Sequence, residues 1–410
     1  MKFYFWLMLC SLAGITASGQ RTCETEAYVA KYFTPDLAAR ELPPNAPARD
    51  TSPNEIITIP VVVHILFNNQ SQLLSDARVY AQIDALNEDY RMLNADNANV
   101  PEAFKSRSAD AKIMFCLAQV DPEGRPTTGI VKKYTTKSSF YELDAMKSDA
   151  KGGSNAWDSK NYLNIWVCAM FSRTLGYATP PGGDATKDGV VINYDVFGDG
   201  SGLRSNFDKG RTATHEVAHW LGLKHIWGDA DCGDDGIADT PPQSSYNYGC
   251  PVFPRPSYCS INADGDMFMN FMDLTNDACM YMFTTGQKNK MRAQFALGGL
   301  RNSFLRSYRC DGSFASGAPL PQDTLPVAKS ADPIKIYPNP VIDELVIESK
   351  EIETLSGRSL QVFNTEGRLL LTTQLQSNKQ KIVLSQLLPG VYILKIDTNT
   401  GIRSFKIVKL

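Results

Sequence analysis

Five residues between positions 215 and 225 have the types and spacing needed to bind and use a metal ion. His215 and His219 are four residues apart, so on a helix they lie on one face and can share one zinc ion. Glu216 lies beside them and suits a general base acting on water at that metal. Gly222 can end the helix in the left-handed conformation, which lets the chain turn and bring back His225 as a third nitrogen ligand. Three protein ligands leave a fourth position open, as in a catalytic zinc site.

The specificity of this pattern separates it from a surface helix with solvated histidines. Three of the four histidines in the chain fall at pattern positions, together with a glutamate and a glycine. The fourth, His64, lies inside a strand-like run of branched residues, and we predict that it is a packed strand residue rather than a ligand.

The first residues and the composition indicate export. Residues 1–19 contain a charged start, an apolar run and a small-residue cleavage site, which is the pattern of a signal peptide. The apolar run is too short to span a bilayer, and no other segment could do so. The net charge is -3 and no long basic run is present, so nothing points to nucleic acid. Of nine cysteines, Cys10 lies in the signal, and the eight that remain favour disulfides.

The elements that must position the metal-binding residues follow an α/β pattern. Strands separated by helical stretches predict a mixed sheet, backed by a helix at 75–92. The metal-binding helix should begin near Arg211, and a closing helix is predicted at 285–297. We expect a bound peptide to pair with an edge strand near 189–194. The predicted strands are 56–67, 112–120, 162–170 and 189–194.

Changes in composition divide the chain into segments. Residues 20–48 are polar and end in a proline-rich run, which is typical of a propeptide, and they precede a catalytic domain at 49–310. Residues 311–333 are rich in Ser, Ala and Pro and form a linker. In 334–410 short strands alternate with turn signals, which predicts a small all-β sandwich.

An acidic loop follows the metal-binding helix. Clustered carboxylates with loop carbonyls suit calcium, and a solvated acidic loop is the equally open alternative. The acids are Asp229, Asp231, Asp234, Asp235 and Asp239.

The metal-binding stretch resembles the zinc signature of the metzincin metalloproteases. With Asp239-Thr240-Pro241, the turn at Met272 and the run from Cys279-Met280 to Phe283-Thr284, residues 59–297 resemble the pappalysin family, nearest to ulilysin-type bacterial enzymes. The resemblance implies a metzincin-type α/β domain, with a mixed twisted sheet, backing and active-site helices and an irregular C-terminal subdomain. It also implies a secreted zinc-dependent endopeptidase that acts on proteins or peptides.

The resemblance assigns roles to further residues. Met272 would lie beneath the zinc site, and Asp235 and Thr240 would hold structural calcium. Asp277 would form the floor of the S1′ pocket, which selects Arg, and less strongly Lys, after the scissile bond. The implied disulfides are Cys232–Cys259 and Cys250–Cys279.

One position departs from the family pattern. Leu274 stands where the family usually has a tyrosine whose hydroxyl helps to hold the tetrahedral intermediate, and losing such a donor costs roughly 10²- to 10³-fold in rate. Tyr281 is a nearby candidate substitute. The departure motivates an alternative function, a surface-associated binding protein with a weakened zinc site.

The run Arg21-Thr22-Cys23 resembles the family's cysteine switch, in which a propeptide thiolate fills the open position on zinc, although Glu24 replaces the usual glycine. A switch would leave Cys310 unpaired and Cys116–Cys168 as a third bridge. A structural Cys23–Cys310 disulfide is the alternative. Self-cleavage before Arg49, or less readily before Arg40, would release the propeptide.

Residues 334–410 resemble the sorting domain of the type IX secretion system. The resemblance rests on Tyr337-Pro338-Asn339-Pro340, Leu388-Pro389-Gly390-Val391-Tyr392 and Lys406-Ile407-Val408-Lys409. It implies passage through the periplasm of a Gram-negative bacterium to the cell surface or medium, with the secretion machinery as a partner. A carbohydrate-binding or adhesive sandwich is the alternative.

Overall fold

Two units make up the chain, Met1–Gly317 and Ala318–Leu410. The structure is a computed structural model, and it describes residues 20–32, 55–141, 143–171, 174–259, 264–307, 334–339, 341–349, 355–364, 368–388, 390–398 and 401–409. The signal peptide, the linker and the two predicted self-cleavage positions lie outside these ranges. No helix in the described ranges has the length and apolar character needed to cross a membrane.

A mixed sheet forms the centre of the first unit. In the described ranges its strands are β1 (Ile57–Phe67), β2 (Ile113–Leu117), β3 (Ile130–Tyr134), β4 (Leu163–Cys168), β5 (Gly176–Ala178) and β6 (Val190–Asn193). The order is β2-β1-β4-β6-β5, with β3 also paired to β1. All pairs are parallel except β5 with β6. Nearly all residues of β1 and every residue of β4 and β6 are buried, as β-propensity and a two-sided core require.

The edge strand differs from the sequence prediction. Residues 189–194 correspond to β6, which lies between β4 and β5, so its backbone hydrogen bonds are already used. The edge next to the metal-binding helix is β5, a three-residue strand too short for pattern reasoning to identify.

Helices pack on the sheet and carry the site. The described ranges contain α1 (Thr25–Tyr32), α2 (Asp76–Tyr90), α3 (Glu102–Lys105), α4 (Arg211–Trp220) and α5 (Thr285–Ala293). They also contain 3₁₀ turns at Ala95–Asn99, Ala145–Lys147, Asp149–Lys151, Tyr194–Val196, Asp277–Cys279 and Asn302–Arg306. Ser75 caps α2 by accepting a hydrogen bond from the Arg78 amide, and Val79, Leu86 and Tyr90 of this helix are fully buried. The helix therefore backs the sheet, as predicted.

The sequence analysis did not predict α1. It lies in residues 20–32, called the leader from here on, which had been assigned to a propeptide or linker with little to bury. In the structure the side chains of Arg21 and Tyr28 are each 2% exposed, because the leader packs into the first unit.

The second unit is all-β, as predicted. Its described strands are β7 (Ile334–Tyr337), β8 (Glu344–Ser349), β9 (Ser359–Phe363), β10 (Leu369–Gln374), β11 (Lys379–Val383), β12 (Gly390–Thr398) and β13 (Gly401–Lys409). They form two sheets, ordered β10-β9-β12-β13 and β11-β8-β7, with all pairs antiparallel. Buried Leu, Ile and Val residues from both sheets form its core.

The observed cysteine pairing confirms two of the predicted disulfides and contradicts two others. The disulfides Cys232–Cys259 and Cys250–Cys279 are both present. Cys23 and Cys168 are free thiols, so both Cys23–Cys310 and Cys116–Cys168 are wrong. Cys116 is in a disulfide whose partner lies outside the described residues.

Strand order explains why the Cys116–Cys168 bridge cannot form. Cys116 lies on β2 and Cys168 on β4, on opposite sides of β1. Two strand spacings amount to about 9.5 Å, which exceeds the Cα separation that a disulfide can span.

Candidate active site

Three histidine rings converge at the C-terminal half of α4. The Nε2 atom of His219 lies 3.1 Å from that of His215 and 3.2 Å from that of His225, and the remaining pair is also 3.2 Å apart. His215 and His219 share one face of the helix, and His225 returns to them after the helix ends. All three residues are at most 3% exposed. The sequence prediction that these histidines form one cluster is therefore matched by the geometry.

The other nitrogen of each ring is fixed by an acceptor. The Nδ1 atom of His215 lies 2.7 Å from the Phe271 carbonyl oxygen, and that of His219 lies 2.8 Å from the Leu223 carbonyl oxygen. Donation from Nδ1–H leaves the Nε2 lone pairs facing one another, which is the tautomer a metal requires. Burial lowers the pKa of His219 to about 3 and that of His215 well below its usual value, so both rings are neutral.

Asp229 was missed as part of this site. The sequence analysis placed it among possible calcium ligands, but its carboxylate pairs with Nδ1 of His225. A carboxylate in this position orients a ligating ring and increases its basicity. The four-residue spacing between the two residues could have indicated the contact. The ring of Trp227 also stacks on His225, with centroids 4.3 Å apart.

Glu216 is buried beside the histidine cluster. Its side chain is 1% exposed, and Oε2 accepts a hydrogen bond from Thr25 Oγ1 at 3.0 Å. Burial raises the pKa of Glu216 to about 8, which is near the value that favours proton transfer at neutral pH. Gly176 of β5 leaves space for it, since a Cβ at Gly176 would lie 2.8 Å from Glu216 Cγ.

Gly222 and Met272 support the turn that returns His225. Gly222 has φ +90°, a conformation that strongly favours glycine, and a Cβ there would lie 2.8 Å from Gln294 Nε2 and displace that side chain. Met272 is fully buried, and its carbonyl oxygen accepts a hydrogen bond from the Ile226 amide at 3.2 Å. The segment around Met272 thus holds the residue that follows the third histidine.

The leader crosses this site along β5. Cys23 forms a parallel bridge with Gly176, and the Leu175 amide donates to the Thr22 carbonyl oxygen at 3.0 Å. The Sγ atom of Cys23 and the histidine nitrogens all lie within 4.8 Å of one another. Cys23 Sγ also lies 3.5 Å from Glu216 Oε2. Three imidazole nitrogens and a thiol sulfur form a donor set that fits zinc.

Arg21 contacts the residue predicted to form the floor of the S1′ pocket. Its guanidinium pairs with Asp277 and donates to Thr212 Oγ1 at 3.0 Å and to the Thr275 carbonyl oxygen at 3.1 Å. Its Cζ lies 5.1 Å from the centroid of the Phe207 ring. The sequence analysis assigned Asp277 from the family but did not connect it with Arg21, which is 256 residues away.

The acidic loop does not form one cluster. Asp235 is 2% exposed, and its Oδ1 accepts from Thr240 Oγ1 at 2.8 Å and from the Ile237 amide at 3.0 Å. Its Oδ2 is buried and has no hydrogen-bond partner among the described residues, and burial raises the pKa of Asp235 to about 7. Asp239 instead accepts from Thr284 and Gly286 near the start of α5. Asp235 and Thr240 are therefore in direct contact.

Leu274 and Tyr281 lie in one apolar cluster, which also contains Trp227. Leu274 is 7% exposed, and the Tyr281 hydroxyl donates to the Asn99 carbonyl oxygen at 3.2 Å. That hydrogen bond directs the hydroxyl elsewhere, so the structure does not support Tyr281 as a substitute donor.

Two family models match separate parts of the chain. Residues 147–296 match the family described as pregnancy-associated plasma protein-A. Residues 335–410 match the family described as secretion system C-terminal sorting domain. The first match contains the histidine cluster, Glu216 and Asp277, and the second covers the all-β unit.

Named relatives and solved structures agree with the first match. An extracellular metalloprotease of Arthroderma benhamiae is 30% identical over 71% of this chain and 96% of its own length. One from Colletotrichum graminicola is 31% identical over 72% and 96%. Mature mirolysin of Tannerella forsythia, in complex with a cleaved peptide, is 46% identical with a TM-score of 0.61 over 65% of this chain and all of its own. Promirolysin of the same organism is 42% identical with a TM-score of 0.63 over 69% and 97%. The chain therefore belongs to the pappalysin family of metzincin metalloproteases and carries a C-terminal sorting domain of the type IX secretion system.

Proposed function

We propose that the chain is a zinc-dependent endopeptidase in which His215, His219 and His225 hold the metal and Glu216 is the general base. The observation that carries this proposal is the convergence of three buried imidazole Nε2 atoms beside a buried carboxylate. No observation favours the alternative of a surface-binding protein, which was motivated by Leu274 alone.

The chain's own groups perform the proton transfers. A zinc ion at the histidines would polarise the scissile carbonyl and acidify water. Glu216 takes a proton from the attacking water and passes it to the leaving amine. Strand β5 aligns the substrate backbone, since its amide and carbonyl groups at Leu175 and Gly176 already pair with the leader.

Specificity for arginine after the scissile bond is supported by the contacts of Arg21. The pocket around Asp277 already encloses a guanidinium, with hydrogen bonds to a carboxylate, a hydroxyl and a carbonyl oxygen. A lysine has one charged nitrogen and could reach fewer of these acceptors at once, so we expect it to be a weaker substrate.

Cleavage mapping tests this proposal. The activated full chain should cut a peptide with one internal arginine on the amino side of that residue, as read by mass spectrometry of the products. Asp277→Asn should lower kcat/KM for the arginine peptide by about 10²-fold, because a buried charge pair is lost. Asp84→Asn, an identical change at an exposed position of α2, is the control and should have no effect. A preference for arginine that survives Asp277→Asn would show that another residue sets the specificity.

We also propose that the leader keeps the enzyme latent through Cys23 and is released by self-cleavage before Arg49, or less readily before Arg40. The contacts of Cys23 and Arg21 support latency through the leader. Self-cleavage depends on the arginine preference, and N-terminal sequencing of the active form checks it.

Asp235 and Thr240 are proposed to hold a structural calcium. The buried Oδ2 of Asp235 supports this, since a cation would satisfy it and offset the cost of burying the charge. A higher unfolding temperature with calcium than with a calcium-selective chelator is the expected result.

Secretion through the periplasm of a Gram-negative bacterium is proposed from the sorting domain at 335–410 and the signal-like start of the chain. Fractionation of cells that express the full chain or residues 1–333 checks this route.

A further inference from the structure

Tyr28 is a further side chain of the leader that packs against the rest of the first unit, besides Arg21, Cys23 and Thr25. Tyr28 of α1 is 2% exposed, and its hydroxyl donates to Asp144 Oδ2 at 3.0 Å. Its ring lies 5.3 Å from that of Tyr177, measured between centroids. The proposed mechanism uses neither Asp144 nor the groups around it.

The residues that contact Tyr28 also form hydrogen bonds with one another that do not involve the leader. Asp144 Oδ1 lies 2.9 Å from Lys147 Nζ and accepts from the Tyr177 hydroxyl at 3.2 Å. Lys147 Nζ also donates to Thr179 Oγ1 at 2.9 Å and to the Lys187 carbonyl oxygen at 2.8 Å. The Asp144 amide donates to the Tyr177 hydroxyl at 2.9 Å. The pocket therefore has internal support that should persist after the leader leaves.

The pocket is built for an aromatic ring that carries a donor. Lys147 is fully buried at its side chain, and its Nζ lies 4.8 Å from the centroid of the Tyr177 ring and 5.1 Å from that of Tyr28. Asp144 has φ +67°, an uncommon conformation for a residue with a side chain and one that often marks functional positions. A cavity of about 830 Å³, lined in part by Asp144 and Lys147, adjoins the pocket and offers room for a bound chain.

The order of the leader places this pocket relative to the scissile bond. Arg21 reaches Asp277, Cys23 reaches the histidines, and Tyr28 reaches Asp144. The leader runs parallel to β5 from the Cys23–Gly176 bridge, and the Ala178 amide donates to Thr25 Oγ1, so Tyr28 and the Asp144 pocket lie further along β5, away from Arg21 and Asp277. If Asp277 receives the residue after the scissile bond, the residues before that bond lie on the side of Asp144.

We propose that Asp144, Lys147 and Tyr177 form a second specificity pocket, which binds a tyrosine of the substrate on the amino-terminal side of the scissile bond once the leader is removed. The proposal rests on the proposed function, because it uses the substrate direction set by Asp277. The occupant is tyrosine because its hydroxyl replaces the hydrogen bond of Tyr28 and its ring replaces the contact with Tyr177. Phenylalanine lacks the donor, and a cationic side chain would place a second positive charge beside buried Lys147.

Peptide kinetics on the activated full chain test the pocket. A series keeps one internal arginine and places Tyr, Phe or Ala at the second, third or fourth position before the scissile bond. At one of these positions we expect kcat/KM to be about tenfold higher for Tyr than for Phe, the value of one hydrogen bond to a charged group. Asp144→Asn should lower the Tyr-to-Phe ratio to about threefold, because a neutral acceptor forms a weaker hydrogen bond. Asp84→Asn is the matched control and should keep the tenfold ratio.

Equal kcat/KM for Tyr and Phe at all three positions would overturn the proposed pocket. This comparison uses only the unmutated chain, so it remains valid even if Asp144→Asn does not fold. If no peptide is cleaved at all, the proposed function fails instead. In that case, calorimetry on the activated chain measures the affinity of the pocket for peptides that end at the scissile carboxylate. Binding about tenfold tighter for Tyr than for Phe would support the pocket, and equal binding would overturn it.

Discussion

Glu216→Ala should reduce kcat/KM on an arginine peptide by about 10³-fold, within the range lost when a general base is removed. Glu216 is 1% exposed and lies beside the three converging histidine nitrogens. Initial rates of both proteins, after the same added protease has removed the leader, measure the effect.

Two controls separate loss of the base from loss of the fold. Glu88→Ala makes the same change at an exposed position of α2 and should retain full activity. The zinc content of Glu216→Ala should equal that of the parent, since the histidine nitrogens do not depend on this carboxylate. Activity within tenfold of the parent, with zinc retained, would exclude Glu216 as the base.

Cys23→Ala should make the unprocessed chain active. The thiol lies within 4.8 Å of the histidine nitrogens and contacts Glu216, so its loss would open the fourth position of a metal held there and remove one of the leader's two contacts with Glu216, the other being Thr25. Each 1.4 kcal/mol of lost leader binding raises the open fraction tenfold, so the activity of the precursor should rise at least about tenfold. Hydrolysis of an arginine peptide, with gel analysis to show that the leader is intact, measures the rise.

Ser71→Ala is the control, because Ser71 is exposed, whereas Cys168, the other free cysteine of the described residues, lies in the apolar cluster that contains Tyr28 of the leader. Ser71→Ala should leave latency unchanged. A Cys23→Ala precursor as latent as the parent would mean that Arg21 and Thr25 suffice to hold the leader and that the thiol is not a switch.

The metal cluster and most of the catalytic fold could be predicted from the sequence because the signals are local. The spacing of His215 and His219 defines a helix face, and Gly222 marks where the chain must turn, so the cluster follows from a short stretch. Helix α2 was found from the periodicity of its buried residues. The disulfides Cys232–Cys259 and Cys250–Cys279 required the family resemblance, since spacing alone leaves several pairings open.

The remaining features depend on contacts between distant residues. Arg21 and Asp277, or Tyr28 and Asp144, are separated by more than a hundred positions and have no local pattern. Strand β5 has three residues, fewer than any alternation can be read from. The prediction that residues 189–194 form an edge strand was wrong, because strand order in a sheet is set by tertiary packing rather than by strand composition.

Zinc titration of the metal-depleted, activated enzyme tests the central claim most directly. Chelation should abolish cleavage of the arginine peptide, and added zinc should restore it up to a plateau at one equivalent per chain. His219→Ala should show no recovery over the same range, because one of the three converging nitrogens is missing. Full activity after complete removal of the metal, or equal recovery in His219→Ala, would contradict a catalytic zinc held by these three histidines.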